Sequence, residues 1–141
     1  QGPSVVHERW ALVIGISDYD DDALRAGVQY AAADAKAFAA FLKTPNGGSL
    51  PDDHVKLLLD KDADRTNIEE ALEEWIYNPR PEDLLWIYFA GHGLVDPNDT
   101  SRRFLLPRET KQSRLGGTAI PMQNVIAAID RRVRAGSGVM L

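Results

Sequence analysis

The chain has 141 residues, enough for one domain with a sizeable core, and 44% of them are hydrophobic, which excludes a disordered polypeptide. The formal net charge of −5 argues against nucleic acid and acidic membrane surfaces, and we predict neither partner. The sequence has no cysteine, so disulfides and thiolate metal sites within these residues are excluded.

Two features concern processing and location. No apolar run approaches the roughly 20 residues of a membrane-spanning helix, and no signal peptide is found, so we expect a cytoplasmic protein. The opening residues 1–3, Gln-Gly-Pro, read as the remnant of a cleaved purification tag and are left out of the fold prediction.

The first part of the chain alternates strand and helix. Trp10–Ser17 is a nearly unbroken apolar run, which is typical of a strand buried on both faces of a parallel sheet. A polar loop, Asp18–Gly27, leads to an alanine-rich helix, Ala31–Lys43. The turn-rich segment Thr44–Asp53 ends that helix, and His54–Asp60 is predicted as the second strand.

The middle of the chain repeats this order. Arg65–Pro79 is predicted to be a helix, because its apolar residues recur with helical spacing and Pro79 closes it. Thr66 and Glu69 have the spacing of a capping box at its start. The third strand, Asp83–Gly93, is apolar nearly throughout.

The last part is less regular. Leu94–Arg103 is predicted as a loop and Phe104–Pro107 as a short strand or hairpin arm. Pro121–Gly136 is predicted as a helix and Gly138–Leu141 as the beginning of a fourth strand. The basic cluster Asp130–Arg134 fits a solvated helix face and a positively charged last turn. The apolar stripe of this helix is predicted to be Val125, Ile126, Ile129 and Val133.

Strands that alternate with helices define the fold class as α/β, with a mostly parallel sheet. Right-handed crossovers place helices on both faces of such a sheet. The functional crevice of these folds lies beyond the carboxyl ends of the strands. Residues that follow the strands are therefore the first candidates for a site.

His92 stands at such a position, between Gly91 and Gly93. Glycines without a Cβ would permit unusual backbone angles and let a substrate backbone pass close to the imidazole. The alternative is a strand that ends in a tight turn, capped by a histidine. Ser17 is the best hydroxyl nucleophile within the chain, but it fits a turn better, and no Gly-x-Ser-x-Gly elbow is present.

Several segments, in this order, resemble the caspase–metacaspase superfamily, above all its bacterial members and the metacaspases. The matching segments are Ala11–Asp21, Ala31–Leu42, Leu84–Gly93, Phe104–Pro107 and Gly138–Leu141. The resemblance implies the caspase–hemoglobinase fold and a cysteine endopeptidase with a Cys-His dyad. Residues 4–141 would then be the large-subunit part of the catalytic domain, incomplete at its carboxyl end, and the nucleophilic cysteine would lie outside these residues.

The resemblance also assigns residues. His92 matches the catalytic histidine, and the backbone N–H of Gly93 matches a donor to the oxyanion. Asp34 matches an acidic position that, in metacaspases and paracaspases, binds Arg or Lys before the scissile bond; the alternative is that it caps its helix. Arg25 is the weaker candidate for a caspase-like preference for Asp.

We predict no cofactor and no metal. The acidic run Asp18–Asp22 lacks the glycine and glutamate of an EF-hand loop, and Pro107–Gly117 is poor in the aspartates through which some metacaspases bind calcium. The expected partners are a peptide or protein substrate, a companion segment carrying the cysteine and the rest of the sheet, and a regulatory or sensor protein such as those of bacterial defence systems. A catalytically inactive caspase-like binding or scaffold module is the alternative function.

Overall fold

A computed structural model describes residues 7–134 and 138–140. The predicted tag remnant, residues 1–3, lies outside this range, as do residues 135–137 and Leu141. The strands, in chain order, are β1 (Arg9–Gly15), β2 (Val55–Leu59), β3 (Leu84–Ala90), β4 (Gly93–Asp96), β5 (Asp99–Leu105), β6 (Ile120–Pro121) and β7 (Gly138–Met140). The α-helices are α1 (Ala31–Leu42), α2 (Arg65–Glu73), α3 (Leu115–Thr118) and α4 (Met122–Arg134).

Four strands form a parallel sheet in the order β2-β1-β3-β7. In the centre of this sheet Leu12 of β1 lies opposite Lys56 of β2 and Ile87 of β3. The remaining strands form a small antiparallel sheet in the order β4-β5-β6. The α/β class with a mostly parallel sheet is therefore confirmed.

Helices cover both faces of the parallel sheet, as the right-handed crossovers require. On one face Ala11 and Val13 of β1 pack in one cluster with Ala35, Ala39 and Leu42 of α1. On the other face the alternate β1 residues join a larger cluster with α2 and α4. A Cβ on Gly15 would come within 2.4 Å of the Ala35 Cβ, so this glycine lets α1 lie directly against the end of β1.

α2 begins with a different cap from the one predicted. Asp64 is the N-cap residue, and its carboxylate accepts a hydrogen bond from the Asn67 N–H at 2.8 Å. The Glu109 carboxylate, from a distant loop, accepts the Arg65 N–H at 2.9 Å. The predicted capping box of Thr66 and Glu69 was therefore wrong. The helix starts earlier, and Glu109 from a distant loop supplies the second acceptor for its first N–H groups. The helix also ends at Glu73, followed by a 3₁₀ turn at Trp75–Tyr77.

The predicted loop Leu94–Arg103 is a β-hairpin instead. β4 and β5 pair antiparallel, and the predicted short strand from Phe104 is only the end of β5. Five of the seven β5 residues are exposed, so the sequence has no apolar alternation that would reveal the strand. The hairpin leaves the carboxyl end of β3 and returns towards it.

The predicted apolar stripe of α4 is confirmed at Val125 and at Ile129, which packs against the core, but it is wrong at Ile126 and Val133. Val125, Ala128 and Arg132 are buried, whereas Ile126 and Val133 are 59% and 47% exposed. The Arg132 guanidinium donates to the carbonyls of Ile76, Pro79 and Arg80, in the segment that precedes β3. The expectation that the whole basic cluster is solvated was thus wrong for Arg132, whose hydrogen bonds satisfy three backbone carbonyls inside the protein.

Candidate active site

His92 lies just beyond β3, at the carboxyl edge of the parallel sheet. The chain that leaves β1 passes beside it, since the Ile16 N–H donates to the Ala90 carbonyl at 2.9 Å. The hairpin starts at the next residue, Gly93. The loop after β1, the end of β3 and the hairpin therefore meet where open α/β sheets carry their functional crevice.

Three hydrogen bonds hold the half-buried His92. Its backbone N–H donates to the Tyr19 hydroxyl at 2.9 Å, and its carbonyl accepts the Leu106 N–H at 3.0 Å. In the side chain, Nε2 lies 3.1 Å from the Ala26 carbonyl oxygen. Both the backbone and the ring of this residue are thus fixed by other segments of the chain.

The Ala26 contact assigns the tautomer of the imidazole. A carbonyl oxygen can only accept a hydrogen bond, so Nε2 must carry the proton. In the neutral ring Nδ1 then holds an available lone pair, and no residue within the described ranges donates to it. An imidazole in this state can form an ion pair with a thiol that gives it a proton, and can later return that proton to a leaving group.

The backbone N–H of Gly93 is also available. Because Leu106 N–H donates to the His92 carbonyl, Gly93 and Leu105 face each other as a non-hydrogen-bonded pair of the antiparallel ladder. β4 is the edge strand of its sheet, so the Gly93 N–H points away from β5 with no strand beside it in the described part of the chain. An amide in this position is suited to stabilise an oxyanion.

The two glycines beside His92 have different reasons to be glycine. A Cβ on Gly91 would lie 2.8 Å from the Tyr19 hydroxyl and 2.9 Å from the Phe89 ring, whereas one on Gly93 would meet only the Phe104 carbonyl at 3.4 Å. Neither has a positive φ. The left-handed backbone angles that these glycines would permit are therefore not used at either position, and Gly91 instead makes room for Tyr19.

Arg25 organises the loop that supports His92. Its Nε donates to the Tyr19 carbonyl at 2.7 Å, and its guanidinium forms ion pairs with Asp18 at 3.5 Å and Asp22 at 3.3 Å. Two carboxylates already neutralise this cation. These contacts join Arg25 to three residues of its own loop and hold the loop together.

Asp34 lies in the first turn of α1, on the exposed surface of the helix. The N-cap residue is Tyr30, and its side chain makes no capping hydrogen bond. In the described structure the Asp34 carboxylate has no hydrogen bond or ion pair, so it does not act as a cap. It remains available for a cation from outside the chain.

Ser17 is engaged in the backbone architecture of this edge. Its hydroxyl accepts the Ala32 N–H of α1 at 2.9 Å, and its own N–H donates to the Asp60 carboxylate at 2.8 Å. The hydroxyl thus satisfies an amide at the helix start that Asp34 leaves unpaired. This agrees with the interpretation of Ser17 as a turn residue.

The acidic run Asp18–Asp22 is used for internal contacts. Asp20 forms an ion pair with Arg108 at 3.1 Å. Hydrogen bonds from the backbone N–H groups of Gln112 and Ala23 lower the pKa of Asp21. Within the part of the chain that is described, no three acidic or histidine side chains are grouped to bind a metal ion. The described helices also include none of the length and apolarity that a membrane crossing requires.

Sequence reasoning did not identify Tyr19 or Ala26 as parts of the site. Tyr19 is fully buried although it lies in a run of aspartates, and this single aromatic residue among acids was the only signal it gave. Ala26 acts through its carbonyl oxygen, which has no side-chain signature at all.

These features define a class of protein. It is an α/β protein in which the carboxyl edge of the sheet carries a histidine whose tautomer is fixed by a hydrogen bond, next to a backbone N–H that has no partner in the described structure. A family profile described as "Caspase domain" matches residues 8–128, and the chain belongs to this family of peptidases. The resemblance found in the sequence is thereby confirmed. No curated protein matches the sequence closely.

The fold is also similar to a solved structure. The crystal structure of a protein from Geobacter sulfurreducens matches with a TM-score of 0.62 and 16% identity, over 94% of this chain. The match covers 47% of that protein, so the present chain spans about half of its length. At this level of identity the similarity supports the fold only.

Proposed function

We propose that this chain is the histidine-bearing part of a cysteine endopeptidase that cleaves after Arg or Lys, with its nucleophile in a polypeptide segment outside these residues. The observation that carries the proposal is the geometry of His92. The Ala26 carbonyl fixes the proton on Nε2 and leaves Nδ1 available at the carboxyl edge.

The chemistry follows from these groups. A cysteine thiol brought to Nδ1 would pass its proton to the imidazole, and the imidazolium would keep the thiolate ionised. The thiolate would attack the peptide carbonyl carbon, and the Gly93 N–H would stabilise the oxyanion. His92 would then protonate the leaving amine, and water would hydrolyse the thioester to restore the thiol.

The preference for basic residues is supported by Asp34. Its carboxylate is exposed and has no partner in the described ranges, whereas the cation of Arg25 is already paired with two aspartates. A carboxylate can accept two parallel hydrogen bonds from a substrate guanidinium. The electrostatics of this edge thus favour a cationic substrate residue over an acidic one.

The companion segment is supported by two surfaces. The edge of β7 away from β3 has no neighbour in the described sheet, and α4 exposes Ile126 and Val133. An unpaired strand edge and exposed apolar side chains are each suitable places for further chain to pack. The expected cytoplasmic location and a regulatory or sensor partner stay predictions.

The first test measures cleavage of Arg, Lys and Asp peptides by the longer polypeptide. His92→Ala should lower kcat by about 10²- to 10⁴-fold, the usual contribution of a general acid–base. His7→Ala, an exposed histidine, is the control. A longer polypeptide with no cysteine at the nucleophile position, and no cleavage of any of these peptides, would instead establish an inactive binding module.

The second test separates specificity from catalysis. Asp34→Asn should lower kcat/KM for Arg peptides by about 10- to 100-fold, because a charge-assisted hydrogen bond is lost. Asp53→Asn removes an exposed carboxylate at the other edge of the sheet and should have no effect. Equal activity of wild type and Asp34→Asn on Arg peptides would refute the role of Asp34.

A further inference from the structure

Tyr19 and His92 share a connection that the proposed reaction does not by itself require. The Tyr19 side chain is fully buried, and its hydroxyl makes two hydrogen bonds. It donates to the Leu106 carbonyl at 2.9 Å and accepts the His92 N–H at 2.9 Å. The ring centroids of Tyr19 and His92 lie 5.5 Å apart.

We propose that Tyr19 is the positioning residue of His92, which it holds through the backbone N–H so that the imidazole meets the Ala26 carbonyl. The inference rests on the proposed function, since His92 needs an orientation of this kind only if it takes part in the cleavage reaction. Tyr19 touches no reacting atom, and its effect is transmitted through His92.

The same residue fixes both partners of the imidazole contact. Through its hydroxyl Tyr19 holds the His92 backbone, and through its carbonyl it accepts the Arg25 Nε at 2.7 Å. Arg25 precedes Ala26, whose carbonyl accepts the hydrogen bond from the His92 Nε2–H. Loss of the hydroxyl would release the His92 backbone while the Arg25 contact to the Tyr19 carbonyl stays in place, so the imidazole would shift relative to the Ala26 carbonyl.

Two further observations agree with a built contact. Gly91 leaves the space that the hydroxyl occupies, since a Cβ there would come within 2.8 Å of it. Burial raises the pKa of Tyr19 to about 12, although the hydrogen bond from His92 acts in the opposite direction. The hydroxyl thus remains protonated near neutral pH, where it can donate and accept at the same time.

The test is an NMR measurement of the imidazole nitrogens in the 141-residue chain, which needs no thiol. We expect the Nε2–H tautomer of His92 to predominate in the unaltered chain. In Tyr19→Phe its ratio to the Nδ1–H tautomer should fall roughly fivefold, the factor that one hydrogen bond contributes. Tyr88→Phe is the matched control, because the Tyr88 hydroxyl has no hydrogen-bond partner in the described ranges and its ring packs against Phe38.

An unchanged tautomer ratio in a folded Tyr19→Phe chain would overturn the proposal, even if its stability fell. If that variant does not fold, amide hydrogen exchange in the unaltered chain decides. The His92 N–H should exchange at least tenfold more slowly than the Gly93 N–H, which has no acceptor in the ladder. Equal exchange of the two amides would overturn the proposal.

The longer polypeptide gives a separate readout. If it cleaves peptides, Tyr19→Phe should lower kcat by about tenfold and leave KM unchanged, whereas Tyr88→Phe should change neither. An unchanged kcat would show that the contact does not serve the reaction. If it cleaves nothing, the proposed function fails, and the tautomer measurement still decides whether Tyr19 orients His92.

Discussion

Asp83 and His92 lie at opposite ends of β3. Their surroundings differ in how many polar groups have a hydrogen-bond partner within the protein. The Asp83 side chain is buried at the amino end and accepts three hydrogen bonds, from the Glu8 N–H, the Trp10 indole and the Arg80 N–H, at 2.8–3.0 Å. Beside it, Arg132 satisfies three carbonyls. Both Asp83 oxygens and the Nε and Nη2 groups of Arg132 thus have partners inside the protein.

At the carboxyl end of β3, only some of the polar groups have a hydrogen-bond partner. Nδ1 of His92, the N–H of Gly93 and the carboxylate of Asp34 have no partner in the described structure. The difference shows a division of roles along one strand. The amino end contributes stability through its satisfied polar groups, whereas the carboxyl end leaves donors and acceptors without a partner in the described structure, as the proposed function requires.

The largest expected effect lies at the amino end. Arg132→Ala would leave the carbonyls of Ile76, Pro79 and Arg80 unsatisfied in the interior, so we expect the free energy of unfolding to fall by about 3–4 kcal/mol. Urea unfolding measures it. Arg131→Ala, at the exposed neighbouring position, should change stability by less than about 0.5 kcal/mol. Similar losses for both variants would contradict the role of Arg132.

A smaller effect is expected for Asp83→Asn, about 2 kcal/mol at neutral pH, because an amide presents an N–H to one of the present donors. Burial alone would raise the pKa of Asp83, but hydrogen bonds from Arg80, Trp10 and Glu8 lower it overall. The carboxylate therefore stabilises the fold above its unfolded pKa, about 3.9, and this stabilisation is lost as the pH falls through the folded pKa.

Urea unfolding at neutral and acid pH checks this sign. The difference between wild type and Asp83→Asn should shrink below about pH 4, because the unfolded carboxyl then binds a proton more readily than the native one, until both are protonated. Glu82→Gln, at the exposed adjacent position, is the control and should show no such dependence. A constant difference at all pH values would show that the Asp83 charge is irrelevant.

The smallest effect on stability is expected from substitutions of the two glycines at the carboxyl end of β3. Gly91→Ala should cost about 1–3 kcal/mol, because its Cβ would overlap the Tyr19 hydroxyl and the Phe89 ring. Gly93→Ala meets only one carbonyl at 3.4 Å and should cost less than about 0.5 kcal/mol. Thermal unfolding of the two variants measures both. Equal losses would mean that Gly91 does not serve Tyr19.

The sequence predicted those elements whose structure is set by a local pattern of apolar and polar residues. The buried strands and α1 have strong apolar signals, and His92 was found because glycines and a histidine end the apolar run of β3. β5 was missed because most of its residues face solvent. In α4 the predicted apolar stripe was right at Val125 and Ile129 but wrong at Ile126 and Val133, which are exposed. Arg132 is buried instead.

The residues that hold His92 in place could not be predicted either, but for a different reason. Ala26 uses a backbone oxygen, which any residue carries, and Tyr19 meets His92 only after the sheet has formed. Contacts between distant segments leave little periodic trace in one sequence. The hydrogen bond at the start of α1 likewise comes from Ser17, which lies on another segment of the chain.

The double hydrogen bond of Tyr19 has a consequence for the order of folding. It joins positions 73 and 87 residues apart in the chain. Closing loops of this length costs entropy that only the assembled strands can offset. A nascent chain that has emerged through His92 but not through Leu106 lacks the acceptor of the Tyr19 proton. We therefore expect the imidazole to reach its final orientation late, after the central strands have paired and the hairpin has returned to the sheet edge.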